Sequence, residues 1–161
     1  MANRTVTVRT GGIGVDTRDF RNVANALRRA APQTYKALRS DLREAGMIVA
    51  EEAKSIAGEF SEKIPPTVKV RVASTTVSVV AGGKNAPTAG LFELGNTGSS
   101  KSAAASRRGQ FRHPVFGNKE VWVDQDMHPF LTPAAERTAP RFTAKLVETL
   151  DEVTHTITFG E

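Results

Sequence analysis

Apolar side chains recur at helical spacing through the first third of the chain. A short stripe over residues 20–27, with a cap at Asp16 or Thr17, predicts a helix that ends before Pro32. A second stripe, with intervals of three and four residues, predicts a long helix of about 25 residues that follows Pro32. This second stripe consists of Tyr35, Leu38, Leu42, Ala45, Val49, Ala53, Ile56 and Phe60.

A third helical pattern lies near the C-terminus. Thr132 is a suitable N-cap and Pro133 a suitable first helical residue, and Pro140 is expected to kink the helix or divide it into two pieces. Phe130 and Leu131 are expected to anchor this helix to a sheet. Its apolar face is formed by Phe142, Leu146, Leu150 and Val153.

Other segments alternate apolar and polar residues, which is typical of strands. Residues 5–9 predict a short strand, and residues 68–72 and 77–79 predict a valine-rich hairpin that turns at residues 73–75. Around Trp122 a further strand is predicted, with Val121 and Val123 on the face opposite to Trp122. The tail, residues 154–159, alternates threonine with histidine and isoleucine and predicts a last strand.

These elements predict a single α+β domain over residues 1–161. We expect a small antiparallel sheet, shared by the valine hairpin and the Trp122 strand, to pack against the long N-terminal helix and the C-terminal helix. Residues 82–119 are expected to form a long basic loop or arm. A loop of this length is unusual in a small domain unless it has a function.

Charge is distributed unevenly along the chain. Residues 94–119, here called the basic segment, contain five Lys and Arg and no Asp or Glu. The other 17 Lys and Arg equal the 17 Asp and Glu in number, so the net charge of +5 belongs to the basic segment. Its glycines, serines and alanines offer little apolar area to offset the entropy of ordering, so we expect it to become ordered on a partner.

Few residues suggest catalysis or metal binding. The chain has no cysteine, which excludes disulfides and thiolate metal sites, and neither Gly11–Gly14 nor Gly83–Lys84 fits a nucleotide-binding loop. Only His113, Asp124, Asp126 and His128 suggest a metal site, and aspartates after a strand are more often turn formers. We predict no enzymatic activity, no cofactor, no bound metal and no membrane span.

Three strings in the sequence resemble one protein family. Residues 86–96 read APTAGLFELGN, residues 111–118 read FRHPVFGN, and residues 128–134 read HPFLTPA. Their order and spacing are similar to those of the tail-completion, or head-to-tail joining, family of long-tailed bacteriophages of the siphophage type. The resemblance covers roughly residues 20–150, and Thr88 replaces the aromatic residue usual there. The family's motif positions correspond to Glu93, Gly95, Pro129, Phe130 and Leu131.

The resemblance implies a virion structural protein that forms a ring, usually hexameric, at the neck between head and tail. DNA would pass through the lumen and contact it without sequence specificity. The implied neighbours are the head connector, adaptor or stopper proteins on one side and the tail terminator or tail tube on the other. The protein would be assembled in the host cytoplasm and reside in the virion. Such a ring joins copies head to tail, so that an arm can enlarge each contact.

In such a ring, the basic segment is the predicted contact arm. Its apolar residues Phe111, Val115 and Phe116 are expected to anchor on a neighbouring subunit, while its cations meet acidic groups or phosphates. Those cations are Lys101, Arg107, Arg108 and Arg112. Two alternative functions stay open: a DNA-binding module that uses this arm, and another minor tail or tail-terminator protein. An enzyme is the third possible class of protein.

Overall fold

Helices and antiparallel strands occupy separate parts of the chain, as expected of an α+β protein. The computed structural model describes residues 5–8, 25–73, 76–95, 109–115, 118 and 120–159, the first of these ranges for its backbone only. Residues 25–30 are helical. The named elements are β1 (Thr5–Val8), α1 (Pro32–Gly58), a 3-10 turn (Pro65–Thr67), β2 (Lys69–Val72), β3 (Val77–Gly82), α2 (Ala89–Leu94), β4 (Gln110–Pro114), β5 (Trp122–Asp126) and α3 (Leu131–Phe159).

Three strands form the main sheet in the order β1-β3-β2. Both neighbours of β3 run antiparallel to it, with Val79 opposite Val8 on one side and Val70 on the other. The predicted hairpin of β2 and β3 is confirmed, and the N–H of Ala73 donates to the carbonyl of Thr76 at 2.9 Å across its turn. The predicted strand at residues 5–9 is confirmed as β1.

Helix α1 crosses this sheet and also packs along α3. It begins with Pro32 at its first turn and ends at Gly58, close to the predicted bounds. Five members of the predicted stripe are buried. Gly46, Ala50 and Ala57 are buried as well, because α1 is covered by α3 in addition to the sheet.

Helix α3 is longer than the sequence pattern predicts. It continues through Pro140 without a break, although proline cannot donate the hydrogen bond of that turn. It also remains helical to Phe159, so the strand predicted for the tail is wrong. The hydroxyls of Thr154 and Thr156 donate to carbonyls four residues earlier, which satisfies these threonines inside a helix.

The apolar face of α3 is rotated slightly from the predicted one. Leu150 is 47 % exposed, whereas Thr149 is 1 % exposed and donates its hydroxyl to the carbonyl of Lys145. Leu146 and Val153 pack against a cluster of three buried leucines, Leu27, Leu38 and Leu42. This cluster joins the start of α1 to the C-terminal half of α3.

Strands β4 and β5 form a separate two-stranded ribbon. The prediction that the Trp122 strand shares a sheet with the valine hairpin is therefore wrong. Strand β3 receives its two neighbours from β1 and β2, and β5 pairs instead with β4 in an antiparallel register that sets Arg112 opposite Asp124. The exposed fractions of Val121, Trp122 and Val123 are 51 %, 47 % and 37 %, so neither face of this strand is buried.

Candidate functional site

The side chain of Glu93 joins α2 to the start of α3. Its Oε2 accepts hydrogen bonds from the N–H groups of Phe130 at 2.7 Å and Leu131 at 2.8 Å. Its Oε1 accepts from the N–H of Thr132 at 2.9 Å and from the hydroxyl of Thr132 at 2.6 Å. Four donors thus surround the carboxylate of Glu93, a residue that is only 4 % exposed.

This arrangement corrects the predicted role of Thr132. Its hydroxyl donates to Glu93 and does not accept a backbone N–H as an N-cap would. The carboxylate takes over the capping function, and its negative charge also suits the positive end of the helix dipole. The backbone N–H groups at the start of a helix lack intrahelical partners, so a buried helix start needs such an acceptor.

Local structure around α2 positions Glu93 toward the start of α3. Residues 83 and 86 form a β-bridge, and α2 follows with Ala89, Gly90 and Phe92 buried. At the end of α2, Gly95 has a φ of 65°, in the region that favours glycine, and its N–H donates to the carbonyl of Leu91 at 2.8 Å. The positive φ therefore explains why a glycine occupies position 95, two residues after Glu93.

Aromatic side chains surround this junction. Phe130 and Leu131 are fully buried in the larger hydrophobic cluster, while Pro129 is exposed. The Phe60 ring lies 5.1 Å from that of Phe92 and 6.2 Å from that of Phe130, measured between centroids. Aromatic pairs at such distances stabilise a junction beyond the area that they bury.

Phe111 connects the β4–β5 ribbon to the same aromatic group. It is 0 % exposed, and its ring meets that of Phe92 edge to face with centroids 5.3 Å apart. In this structure it is part of the chain's own core and is not available to a neighbouring subunit, so its predicted role as an intersubunit anchor is wrong. The sequence pattern showed an isolated aromatic residue but not the partner that buries it.

The other predicted contact residues have different positions. Arg112 is exposed, with its Nε 3.9 Å from Oδ1 of Asp124. Val115 is half-buried and its N–H donates to the carbonyl of Val121 at 3.0 Å. The remaining candidates lie outside the described residues; they are Lys101, Arg107, Arg108 and Phe116. The expectation that the basic segment becomes ordered on assembly also concerns residues outside the described ones.

The predicted loop at about 82–119 is structured at both of its ends. Residues 83–95 contain the β-bridge and α2, and residues 110–114 form β4. The part between them, residues 96–108, is not among those that the structure describes. Burial of Ala86, Phe92 and Phe111 accounts for the difference, because these side chains supply apolar area that the composition of the whole segment concealed.

The histidines and aspartates near β5 do not assemble into a metal site. His113 Nε2 lies 3.0 Å from Oε1 of Gln125, and Asp126 accepts from Nε2 of Gln110 at 3.0 Å. His128 stacks on Phe60 with ring centroids 5.0 Å apart. Across the described ranges, no group of three or more histidines and carboxylates could hold a metal ion.

Comparisons with known proteins identify no relative. No family model, no curated protein and no solved structure matches this chain. Among the described residues, no helix combines the length and the apolar character that crossing a membrane requires.

Proposed function

We propose that this chain is a structural subunit of the neck of a tailed bacteriophage. In this role it forms a ring, with six copies as the expected number, that joins the tail to the head and lets DNA pass. Its neighbours are connector, adaptor or stopper proteins toward the head and terminator or tube proteins toward the tail. It acts in the virion and has no catalytic step.

The observation that carries the proposal is the contact between two of the three strings that resemble the tail-completion family. Glu93 belongs to the first string, and residues 130–132 belong to the third. Four hydrogen bonds from the third string converge on the Glu93 carboxylate. The resemblance therefore concerns residues that function together as one structural unit, which makes it more specific than three separate short matches.

The β4–β5 ribbon supports a role in assembly. All five residues of β5 are exposed, and the apolar side chains from Val121 to Val123 are about half to a third exposed. An exposed strand edge is a template for pairing with another chain. In the sequence, residues 96–108 precede the ribbon and contribute Lys101, Arg107 and Arg108 to the charge excess.

A DNA-binding module is the second candidate. The concentration of the net charge of +5 in one segment favours it, because cations on phosphates supply non-specific affinity for DNA. The two functions differ in what the purified protein should do. A neck subunit should associate with itself and with neck or tail proteins, whereas a DNA-binding module should bind duplex DNA as a monomer with a steep dependence on salt.

Light scattering after size-exclusion chromatography tests the proposal directly. The full chain should form closed oligomers, alone or with purified tails, and electron microscopy of negatively stained samples should show rings. A matched sample with duplex DNA measures the alternative. A protein that stays monomeric in every mixture, and is found on DNA only, would exclude the neck function.

A further inference from the structure

We propose that the outer edge of β2 is a docking site for an extended, acidic segment of a partner protein, which joins the three-stranded main sheet as an added strand. Five exposed cations, here called the basic belt, flank this edge. They are Lys36, Arg39, Arg43, Lys69 and Arg71. The docking site does not depend on the neck function, because an open strand edge can bind a peptide in a protein of any role.

The hydrogen bonds of the β2–β3 hairpin determine which main-chain groups of β2 point outward. The N–H of Ala73 donates to the carbonyl of Thr76 at 2.9 Å, so these two residues form a hydrogen-bonded pair. Hydrogen-bonded and non-hydrogen-bonded pairs alternate along an antiparallel ladder. Counting back from Ala73, every second residue of β2 bonds to β3. Val70 and Val72 lie between those residues, so they direct their N–H and C=O groups to the outer edge.

Arg39 supports this orientation independently. Its Nη2 donates to the carbonyl of Val72 at 2.9 Å, and that carbonyl is one of the groups that the register directs outward. Among the described residues, the N–H groups of Val70 and Val72 and the carbonyl of Val70 have no hydrogen-bond partner at this edge. Three main-chain groups are therefore open to an added strand.

Two cations of the basic belt belong to β2 itself. The side chain of Val70 packs toward α1, since a Cβ atom built at Gly46 would lie 2.6 Å from its Cγ1. Successive side chains of a strand point to opposite faces, so Lys69 and Arg71 extend from the face away from α1. Both are exposed. An added strand would place every second side chain beside these two cations.

The other three cations of the basic belt come from α1. Lys36, Arg39 and Arg43 are spaced three and four residues apart, so they lie along one side of the helix. The hydrogen bond from Arg39 to Val72 places this side next to the outer edge of β2. Asp41 lies two positions from both arginines, and residues two apart on a helix do not face each other. Side chains of an added strand that point toward α1 would therefore also meet cations.

The charges around the edge favour an acidic occupant. Residues 63–92 contain four Lys and Arg and no Asp or Glu. Within the described ranges, no member of the basic belt forms an ion pair. Opposite charges side by side stabilise a sheet and like charges destabilise it. Phosphates of DNA would neutralise the same cations, but a phosphate oxygen only accepts hydrogen bonds and would leave the carbonyl of Val70 unpaired. An extended acidic peptide satisfies both the cations and the main chain.

A short fluorescein-labelled peptide in which glutamate alternates with threonine tests the docking site on the full chain. It should bind the wild type at low salt, and the variant with Lys69→Glu and Arg71→Glu should lose at least about tenfold in affinity. A second peptide, with lysine in place of glutamate, should bind this variant and not the wild type. Fluorescence anisotropy measures each combination.

N-methylation of the peptide separates strand pairing from attraction between charges. Alternate N–H groups of a strand point to opposite sides. Methylation of one set of amides, at the glutamates or at the threonines, should therefore abolish binding, while methylation of the other set leaves it unchanged. Hydrogen exchange is a second measurement. On binding, the N–H groups of Val70 and Val72 should become protected, while that of Arg71, which bonds to β3, should change little.

Lys84→Glu with Arg141→Glu is the matched control. Both residues are exposed and lie outside the basic belt, and the double change alters the net charge by the same amount as Lys69→Glu with Arg71→Glu. This control should bind the glutamate peptide like the wild type. Thermal unfolding of both double variants verifies that they fold. The methylated peptides and hydrogen exchange use the wild type, so they decide the question even if a variant does not fold.

Three results would each overturn the docking site: no binding of the glutamate peptide, equal binding of the two methylated peptides, or no protection at Val70 and Val72. If duplex DNA binds through the basic belt and the peptide does not, the belt binds phosphates instead. Self-association that Lys69→Glu with Arg71→Glu abolishes, without peptide binding, would assign the edge to a second copy of this chain.

Ring formation tests the neck function separately. A wild type that forms rings but does not bind the peptide would refute the docking site and leave the neck function standing. A wild type that binds the peptide at β2 but forms no rings, alone or with tails, would do the reverse.

Discussion

Gly46 lies where α1 packs closely against the main sheet, and its replacement by alanine tests this packing. A Cβ atom built at Gly46 would lie 2.6 Å from Cγ1 of Val70 and 2.8 Å from Cγ1 of Val77. Carbon atoms in favourable contact are about 3.5–4.0 Å apart, so both contacts are short by roughly 1 Å. Because the χ1 angle of valine is restricted, these two side chains cannot rotate away from the added methyl group. The helix α1 and the sheet must therefore move apart.

Two opposing effects determine the size of the change. Alanine gains about 1 kcal/mol over glycine in the interior of a helix, and overpacking of a well-filled core costs about 1–3 kcal/mol. Because two β-branched side chains obstruct the same methyl group, we expect the cost to lie at the upper end. Gly46→Ala should therefore destabilise the protein by about 1–2 kcal/mol, a decrease in the thermal midpoint of roughly 2–8 °C.

Gly58→Ala is the matched control. Gly58 is the last residue of α1, and a Cβ atom there would meet nothing within 4 Å. This variant should be neutral or stabilised by up to about 1 kcal/mol. Adding Val70→Ala to Gly46→Ala should recover part of the loss, which a double-mutant cycle of thermal or urea unfolding detects as favourable coupling. A midpoint that rises equally in Gly46→Ala and Gly58→Ala would refute the close approach of helix and sheet.

Three further predictions concern the core, the junction and the basic segment. Leu42→Ala, in the buried leucine cluster, should cost about 2–5 kcal/mol in urea unfolding, and an unchanged midpoint would contradict its burial. Glu93→Gln should cost about 1–3 kcal/mol of unfolding free energy, because it leaves a buried donor without its acceptor. Thr132→Val removes a single donor and should cost less, about 1 kcal/mol. Equal stability of the wild type and Glu93→Gln would show that the carboxylate is not the cap. Arg107→Gln with Arg108→Gln should weaken ring assembly and leave the salt dependence of DNA binding unchanged, whereas a shallower salt dependence with normal assembly would favour the DNA-binding alternative.

Local patterns predicted the elements whose residues contact their neighbours along the chain. The stripe after Pro32 identified α1, and the valine alternation identified the β2–β3 hairpin, because helical and strand periodicities are set by backbone geometry over a few residues. The same reasoning was wrong for the tail. Its alternation of threonine with histidine and isoleucine is also compatible with a helix, since the hydroxyls of Thr154 and Thr156 each donate to a carbonyl in the preceding turn.

The candidate site depended on contacts between distant residues. The resemblance selected Glu93 and residues 129–131, but neither periodicity nor composition indicated that a carboxylate 37 positions before Phe130 caps the helix that begins there. The sequence predicts that Phe111 anchors on a partner because the run before it contains few apolar side chains, and the tertiary contact with Phe92 makes it a core residue instead. The sequence alone determined which residues could form helices and strands, because this is a local property of the backbone. The tertiary structure determined which buried donors meet which acceptors and which strands pair, because those interactions join segments whose distance in space the sequence does not specify.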